Sequence, residues 1–277
     1  MTYRIAHLAP ALRRAVLACS LISTVSLAQE LPAEWQGAMA ESARQRATVP
    51  ATAMEYAEIR RTGADEGPRD YRAGDFALLS AARRKDWVAV GRLLKGGAQP
   101  NVRDVWGDSV LVHAAAAGET ELVRALIAAG AQVDRKGASG FTPLGAAALG
   151  GHDRVVELLL RAGAGADVDA RSADGHTALI DAVMLDRSEV VAVLLSHRAD
   201  WRPTDRELGR HALSLAASLG HVKVLDQLLR AGFDPNEPDR GGFNALYWAV
   251  FRKQRLAVAH LLASGADAGA MSTDIYD

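Results

Sequence analysis

Cysteine is almost absent from this sequence of 277 residues, since Cys19 is its only copy. Because Cys19 lies in a segment that we expect to be removed, the mature chain can hold no disulfide, thiolate metal site or cysteine nucleophile. An excess of either charge is also absent, because 32 basic and 33 acidic residues leave a formal net charge of −1. Binding to nucleic acid or to an anionic membrane needs a large basic excess or a concentrated basic face, so this balance argues against both.

Apolar residues are abundant: they make up 49% of the chain and can supply a folded core. At the N-terminus, Arg13 and Arg14 precede an apolar run that ends in Ser26-Leu27-Ala28. Small residues at those positions are what a signal peptidase recognises. The pattern predicts a secretory signal peptide over residues 1–28, cleaved after Ala28, and export to the bacterial periplasm.

Other interpretations of the N-terminus stay open. The Arg13-Arg14 pair faintly resembles a twin-arginine signal, so the sequence does not choose between that route and the general secretory one. Val16-Leu17-Ala18-Cys19 faintly resembles a lipoprotein box, although almost no hydrophobic segment precedes it. The apolar run is short and rich in Ser and Thr for a membrane span, which makes an uncleaved anchor the weaker alternative.

Residues 29–74 form a less regular segment before any repetition begins. Residues 34–47 can form a helix, because apolar residues recur there at i, i+4 and i+8. Residues 51–62 can form a second short helix, and the glycine- and charge-rich residues 63–74 are typical of a linker. Two interpretations of this arm fit the sequence: a partner-binding or capping segment, and a partly disordered leader.

Three landmarks recur beyond Asp75 at a period near 33 residues. A leucine opens the first helix of each unit, at Leu78, Leu111, Leu144, Leu179, Leu213 and Leu246. An apolar doublet recurs in the second helix, as Leu93-Leu94, Leu126-Ile127, Leu159-Leu160, Leu194-Leu195, Leu228-Leu229 and Leu261-Leu262. The second helix ends at Gly97-Ala98, Gly130-Ala131, Gly163-Ala164, Arg198-Ala199, Gly232-Phe233 and Gly265-Ala266. A fixed period with two helices and a Gly/Asp-rich connector in each unit predicts a stacked solenoid.

Residues 140–169 carry the most regular copy of the repeat. Thr142-Pro143-Leu144 opens its first helix, Gly151-His152 marks the turn, and Val155–Leu159 and Gly163-Ala164 follow. These motifs resemble those of ankyrin repeats. The resemblance implies an all-α fold, namely an ankyrin-repeat solenoid of about six helix-pair repeats with β-turn fingers. From the N-terminal residues we expect a signal peptide and a partly helical N-terminal arm before it. It also implies a family role of binding other proteins without catalysis.

The N-terminal features and the resemblance together divide the chain into segments. These are a signal peptide at 1–28, an N-terminal helical arm and linker at 29–74, an ankyrin repeat domain at 75–270 and a C-terminal tail at 271–277. The units are expected near 75–103, 104–136, 137–171, 172–205, 206–238 and 239–270.

Some positions depart from the family pattern. The histidine that usually follows Thr-Pro-Leu is Gly145 in the most regular unit, so its local hydrogen bonding is lost and the turns should be less rigid. Arg83–Lys85 suit an N-terminal cap, and Lys253–Arg255 suit a polar outer face of the last unit. Alanine pairs should lie between repeats, where larger side chains would overpack the stack, at Ala81-Ala82, Ala114-Ala115, Ala147-Ala148 and Ala216-Ala217.

The repeat register also sorts positions into buried and presented ones. Turn tips and first-helix ends are expected to face the concave groove, and here this set is unusually apolar and aromatic. Aromatic residues and arginine carry much of the binding energy of protein interfaces. The candidate partner-binding residues are Trp106, Asp108, Phe141, Leu149, His176, Met184, Leu185, Arg210, Leu219, Phe243, Phe251 and Arg252. Some of them can instead pack against adjacent fingers or the N-terminal arm.

No residue pattern makes a convincing catalytic, cofactor or metal site. Gly107–Val110 resembles the start of a serine-esterase motif, but the repeat register makes Ser109 a helix-capping residue. Gly163–Ala166 follows a helix instead of a strand and lacks the third glycine of a phosphate loop. His152 and His221 share one repeat position about two repeats apart, roughly 20 Å in a helical stack, so they cannot share a metal.

Together these features predict a non-enzymatic protein-binding adaptor or scaffold that needs no metal or cofactor and acts as a monomer in the exported compartment. Its partner would be another protein, either a stress-defence enzyme that it maintains or a toxin that it neutralises, and not a nucleic acid or a membrane. Two alternatives differ in class: a hydrolase that uses Ser109, and a membrane-attached scaffold with an uncleaved N-terminus.

Overall fold

The computed structural model describes residues 73–104, 107–137, 140–161, 166–172, 175–200, 202–203 and 209–269. All regular secondary structure in these residues is α-helical, and their only β-type pairing is an isolated bridge between Arg103 and Ser109. The all-α fold class is therefore confirmed. The signal peptide at 1–28, the arm up to residue 72 and the tail at 271–277 lie outside the described residues and stay predictions.

Twelve α-helices lie in the described part of the chain, arranged in two compact units. Those of the first unit, residues 1–150, are α1 (Ala73–Arg83), α2 (Trp87–Lys95), α3 (Val110–Ala117), α4 (Thr120–Ala128) and α5 (Pro143–Gly150). Those of the second unit, residues 151–277, are α6 (Asp153–Arg161), α7 (Ala178–Met184), α8 (Ser188–Ser196), α9 (Ala212–Leu219), α10 (Val222–Arg230), α11 (Ala245–Phe251) and α12 (Arg255–Ala263).

The first unit packs its helices in two rows. Helix α3 contacts α1 on one side and α5 on the other, while α2 contacts α4. The rows are joined because α1 also packs on α2, and α3 on α4. The predicted burial of the alanine pairs is confirmed in this unit, since none of them is more than 2% exposed, at Ala81-Ala82, Ala114-Ala115 and Ala147-Ala148.

The second unit repeats this arrangement over a longer stretch. Helices α7, α9 and α11 form a first row, and α6, α8, α10 and α12 form a second row behind it. Helix α10 buries one side only. Val224, Leu225 and Leu228 are buried, while Lys223 and Arg230 are exposed. Stacked helix pairs of this kind confirm the solenoid architecture, and the total number of repeats stays a prediction.

Five of the first helices begin at a polar side chain that caps the helix N-terminus. Each cap accepts a hydrogen bond from the backbone N–H three residues later, as Ser109 does from Val112, Thr142 from Gly145, Thr177 from Ile180, His211 from Ser214 and Asn244 from Tyr247. Such a cap satisfies a backbone donor that the helix itself leaves unpaired. The predicted capping role of Ser109 is confirmed.

The fully described loop before α11 folds into a short hairpin finger. In the finger before α11, the Asp239 N–H donates to Phe243 O and the Gly242 N–H donates to Asp239 O, both at 2.9 Å. Asparagine side chains connect one finger to the next. Asn101 Oδ1 accepts from the Gln132 N–H at 2.8 Å, and Asn236 Oδ1 accepts from the Asp267 N–H at 2.7 Å. These bonds set the spacing of the fingers within each unit.

Candidate protein-interaction site

The C-terminal ends of α7, α9 and α11 are adjacent in the second unit. Leu185, Leu219 and Arg252 occupy the same register position in these three successive helix pairs, and Met184 and Phe251 directly precede the first and last of them. Packed helices lie about 8–10 Å apart, so these side chains span about 20 Å. We call these five residues the first-helix row.

The first-helix row is accessible to a partner. Phe251 is 61% exposed, Arg252 is also exposed, and the other three side chains are half-buried. An aromatic ring, an arginine and long apolar side chains are residue types that anchor protein interfaces. The row therefore consists of predicted contact residues that the structure leaves at least partly exposed.

Four aromatic side chains surround the end of α11. Phe243 stacks on Tyr247 with ring centroids 4.1 Å apart, and Tyr247 stacks on Phe251 at 6.0 Å. Trp248 meets Phe251 edge-on at 5.9 Å, and its Nε1 donates to Asp239 Oδ2 at 2.5 Å. Offset and edge-on ring contacts add to the free energy of burial and fix ring orientation. The cluster thus holds Phe251 in place while most of its surface stays in solvent.

The structure buries five of the predicted contact residues, so the expectation that they are exposed is wrong. They are Asp108, Phe141, Leu149, His176 and Arg210, each at most 8% exposed. For Arg210 the cause is internal pairing. Its Nη1 donates to Ser218 Oγ at 3.0 Å, and its guanidinium lies 5.4 Å from the centroid of the Trp248 ring. Both contacts offset the cost of taking the charge out of water.

Asp108 and His176 are buried because the fingers turn them inward. The Asp108 N–H donates to Asp104 Oδ1 at 3.0 Å, and its carboxylate occupies the space that a side chain at Gly137 would need. The His176 Nδ1 lies 3.4 Å from Asp181 Oδ1 inside the second unit. The Asp108 N–H bond stabilises its finger, whereas the His176–Asp181 contact is not a hydrogen bond.

The other two buried residues of the predicted set, Phe141 and Leu149, have apolar side chains. Phe141 is 1% exposed and Leu149 is 7% exposed, because burying such a side chain contributes about 1.5–3 kcal/mol. Phe243 is half-buried by its stacking on Tyr247. Trp106 lies outside the described residues, so its role in binding stays a prediction.

The exposed side of α8 and α10 has a different character, because it carries ion pairs. The Lys223 Nζ donates to Glu189 Oε1 at 2.7 Å, and this hydrogen bond lowers the pKa of Glu189 to about 2. The Arg230 Nε lies 3.0 Å from Asp226 Oδ2 on α10. Exposed ion pairs contribute little to stability. Charged side chains that already have partners make this side a poorer docking surface than the row.

Ser109 and His221 have structural roles. Ser109 is buried, and its Oγ accepts the Val112 N–H at 3.3 Å. His221 precedes α10 as predicted, but its Nδ1 donates to Val183 O at 2.8 Å and so reaches back to the previous helix pair. Within the described ranges, no three His, Cys, Asp or Glu side chains are grouped to hold a metal ion. None of the described helices has the length and apolarity to cross a membrane.

Comparison with known proteins agrees with this architecture. A family model described as "Ankyrin repeats (3 copies)" matches residues 78–172, 139–205 and 199–272. The chain is 37% identical over 91 residues to "Ankyrin repeat domain-containing protein SAT10" of Stachybotrys chartarum, and the aligned part covers 33% of this chain and 4% of that protein. It is 37% identical over 87 residues to "Ankyrin repeat domain-containing protein 63" of Mus musculus, and the aligned part covers 30% of this chain and 22% of that protein.

The fold is also similar to a solved structure. The crystal structure of the ankyrin repeat domain of Bcl-3, a member of the IkappaB protein family, matches with a TM-score of 0.63 and 29% identity, covering 72% of this chain and 90% of that chain. Ankyrin repeats are generally protein-interaction modules, and this fold type is non-enzymatic. With stacked helix pairs, hairpin fingers and family matches from residue 78 to residue 272, the chain belongs to the ankyrin repeat family.

Proposed function

We propose that this chain is a non-enzymatic adaptor or scaffold that binds another protein through the first-helix row. The observation that carries the proposal is the 61% exposure of Phe251 at one end of the row. Its ring is held by Tyr247 and Trp248, so a partner would meet an anchor that loses little freedom on binding. The row continues through Leu219 to Met184, which gives the partner an extended apolar contact.

The compartment and the kind of partner belong to the same proposal. The signal-like residues 1–28 support export to the bacterial periplasm. There the chain would act as a monomer, either maintaining a stress-defence enzyme or neutralising a toxin. Mass spectrometry of the mature protein is expected to find Gln29 at its N-terminus. An intact N-terminus that begins at Met1 would contradict export with cleavage and favour the membrane-attached alternative.

Affinity capture from a periplasmic extract tests the row. The wild type is compared with a variant that carries Met184→Ser, Leu219→Ser and Phe251→Ser. The variant is expected to lose the protein that the wild type retains, because truncating anchors of an interface typically costs at least about 1 kcal/mol each. Val88→Ser is the matched control, since Val88 is a 72% exposed apolar residue on α2, outside the row.

Equal recovery by the wild type and the triple variant would contradict the row as the binding site. Circular dichroism and thermal unfolding of the variant check that its helices are intact, so lost recovery can be assigned to the surface. All three substituted side chains are at least partly accessible, which limits the loss of folding free energy.

A further inference from the structure

Positions that are buried inside the second unit become exposed at its last helix pair. Val250 on α11 is 47% exposed, whereas Ala217 on α9 and Val183 on α7, at the same register position, are 0% exposed. Val258 on α12 is half-buried, whereas Leu225 on α10 is 0% exposed. The earlier positions are covered by the following helix pair. Among the described residues, no helix packs on these positions of the last pair.

Two further side chains belong to this uncovered surface. Tyr247 is half-buried, although Ser214 at the same position of α9 is 0% exposed. Leu262 is 47% exposed, although Leu229 at the same position of α10 is half-buried. We call Tyr247, Val250, Val258 and Leu262 the end surface. All four side chains are apolar or aromatic.

The apolar character of this end corrects the expectation of a polar outer face. Lys253 and Arg255 are exposed as expected, but the Gln254 Nε2 turns back and donates to Ser218 O at 3.3 Å. Leu256 is 75% exposed where α10 carries Lys223. Exposed apolar patches of this kind mark interaction sites, so this surface is a candidate for one.

The charged side chains on α11, α12 and their connection are of one sign. Helices α11 and α12 with their connection contain Arg252, Lys253 and Arg255 and no Asp or Glu. All three side chains are exposed, and none forms an ion pair with a described residue. The whole chain has a net charge of −1, so this basic group is local. Complementary charge on a partner would both steer its approach and fix its orientation.

We propose that the end surface docks an acidic amphipathic helix of another protein. Within the unit, α11 covers α9 and α12 covers α10, so the end surface has the register and grooves that receive a helix. The apolar face of the partner helix would cover Val250, Val258 and Leu262. Its acidic residues would pair with Lys253 and Arg255. This second docking surface goes beyond the first-helix row, which meets it at Phe251.

Fluorescence anisotropy with a synthetic peptide tests the proposal. The probe is a labelled helical peptide of ~18 residues, about five turns, with Leu on one face and Glu on both sides of that face. The control peptide keeps the Leu face and replaces every Glu by Lys. The full chain is expected to bind the Glu peptide at least about tenfold more tightly, because only that peptide complements the basic group.

Two variants separate the apolar and the charged parts of the surface. Val250→Ser combined with Leu262→Ser is expected to weaken binding of the Glu peptide by at least about tenfold. Lys253→Glu combined with Arg255→Glu is expected to reverse the preference between the peptides. Val88→Ser and Arg154→Glu are the matched controls, because both side chains are exposed elsewhere and should leave the affinity unchanged.

Several results would overturn the proposal. No binding of the Glu peptide, equal affinity for both peptides, or unchanged affinity of the Ser variant would each do so. Binding to vesicles that contain phosphatidylserine but not to the peptide would assign the surface to a membrane. A dimer in sedimentation that the Ser variant makes monomeric would assign it to a second copy. Met184 and Leu219 are intact in every variant, so each of these failures leaves the first-helix row untouched.

Discussion

His211 caps α9 in a way that depends on its charge. Its Nδ1 accepts the Ser214 N–H at 3.3 Å, and its Nε2 donates to Glu237 O at 3.1 Å. Both bonds together require a neutral ring. Burial lowers the pKa of His211 below its ordinary value of about 6.5, although the bond to Glu237 and the charges of Asp239 and Glu237 oppose this. The folded protein therefore takes up this proton less readily than the unfolded chain.

We predict that His211 makes the second unit less stable in mild acid. As pH falls through about 6.5, the unfolded chain gains the proton first, so the free energy of unfolding drops until the folded-state pKa is reached. His211→Asn keeps an oxygen for the cap but cannot titrate, and its free energy of unfolding should fall less over this range. Urea unfolding at a series of pH values measures the difference. Parallel pH curves for the two proteins would contradict this account.

Which of the predicted contact residues are buried is hard to infer from the sequence. Arg210 is a residue type that favours interfaces, and its position at a finger predicts exposure. Its burial depends on Ser218 and Trp248, which lie in two different helix pairs. The repeat register identifies which positions are equivalent, but it does not show that one copy of a position has gained internal partners.

The turns that follow helices α9 and α10 differ in what surrounds them. Gly220 ends α9 with φ 74°, and Gly232 follows α10 with φ 92°, both in the left-handed region that favours glycine. A Cβ at Gly232 would meet no atom within 4 Å, whereas a Cβ at Gly220 would overlap the amide of Gln254. That amide carries the bond to Ser218 O. The two turns should therefore respond differently to the same substitution.

We predict that Gly220→Ala is more destabilising than Gly232→Ala. Both variants force alanine into the left-handed region, at a cost of about 1 kcal/mol. Gly220→Ala also displaces Gln254 and loses its hydrogen bond, which adds about 1 kcal/mol. Thermal unfolding of the two variants, corrected to one temperature, measures the difference. Equal losses would show that Gln254 adds nothing to the turn.

Helix positions in this chain could be predicted well from local signals. The Thr142-Pro143 start of α5 and the cap at Ser109 depend only on residues within one turn of the helix, and both are confirmed. The hydrogen bond from Gln254 Nε2 to Ser218 O could not be predicted in this way. This hydrogen bond joins residues 36 positions apart, which come together only when the helix pairs are stacked.

Both proposed binding surfaces of the protein belong to the second unit. The first-helix row and the end surface both lie there, and they meet at Phe251 and Tyr247. The sequence predicted an apolar and aromatic contact set, but it could not separate the exposed members from the buried ones. Exposure depends on what lies against each position: Val250 is 47% exposed, whereas its equivalents Val183 and Ala217, which are followed by another helix pair, are buried.

Binding of a partner protein to the first-helix row can be measured as the dissociation constant of the captured partner. Isothermal titration would compare the wild type with the variant carrying Met184→Ser, Leu219→Ser and Phe251→Ser. We predict that the dissociation constant rises at least about tenfold in the variant and is unchanged by Val88→Ser. A dissociation constant that is the same for the wild type and the triple variant would contradict the account.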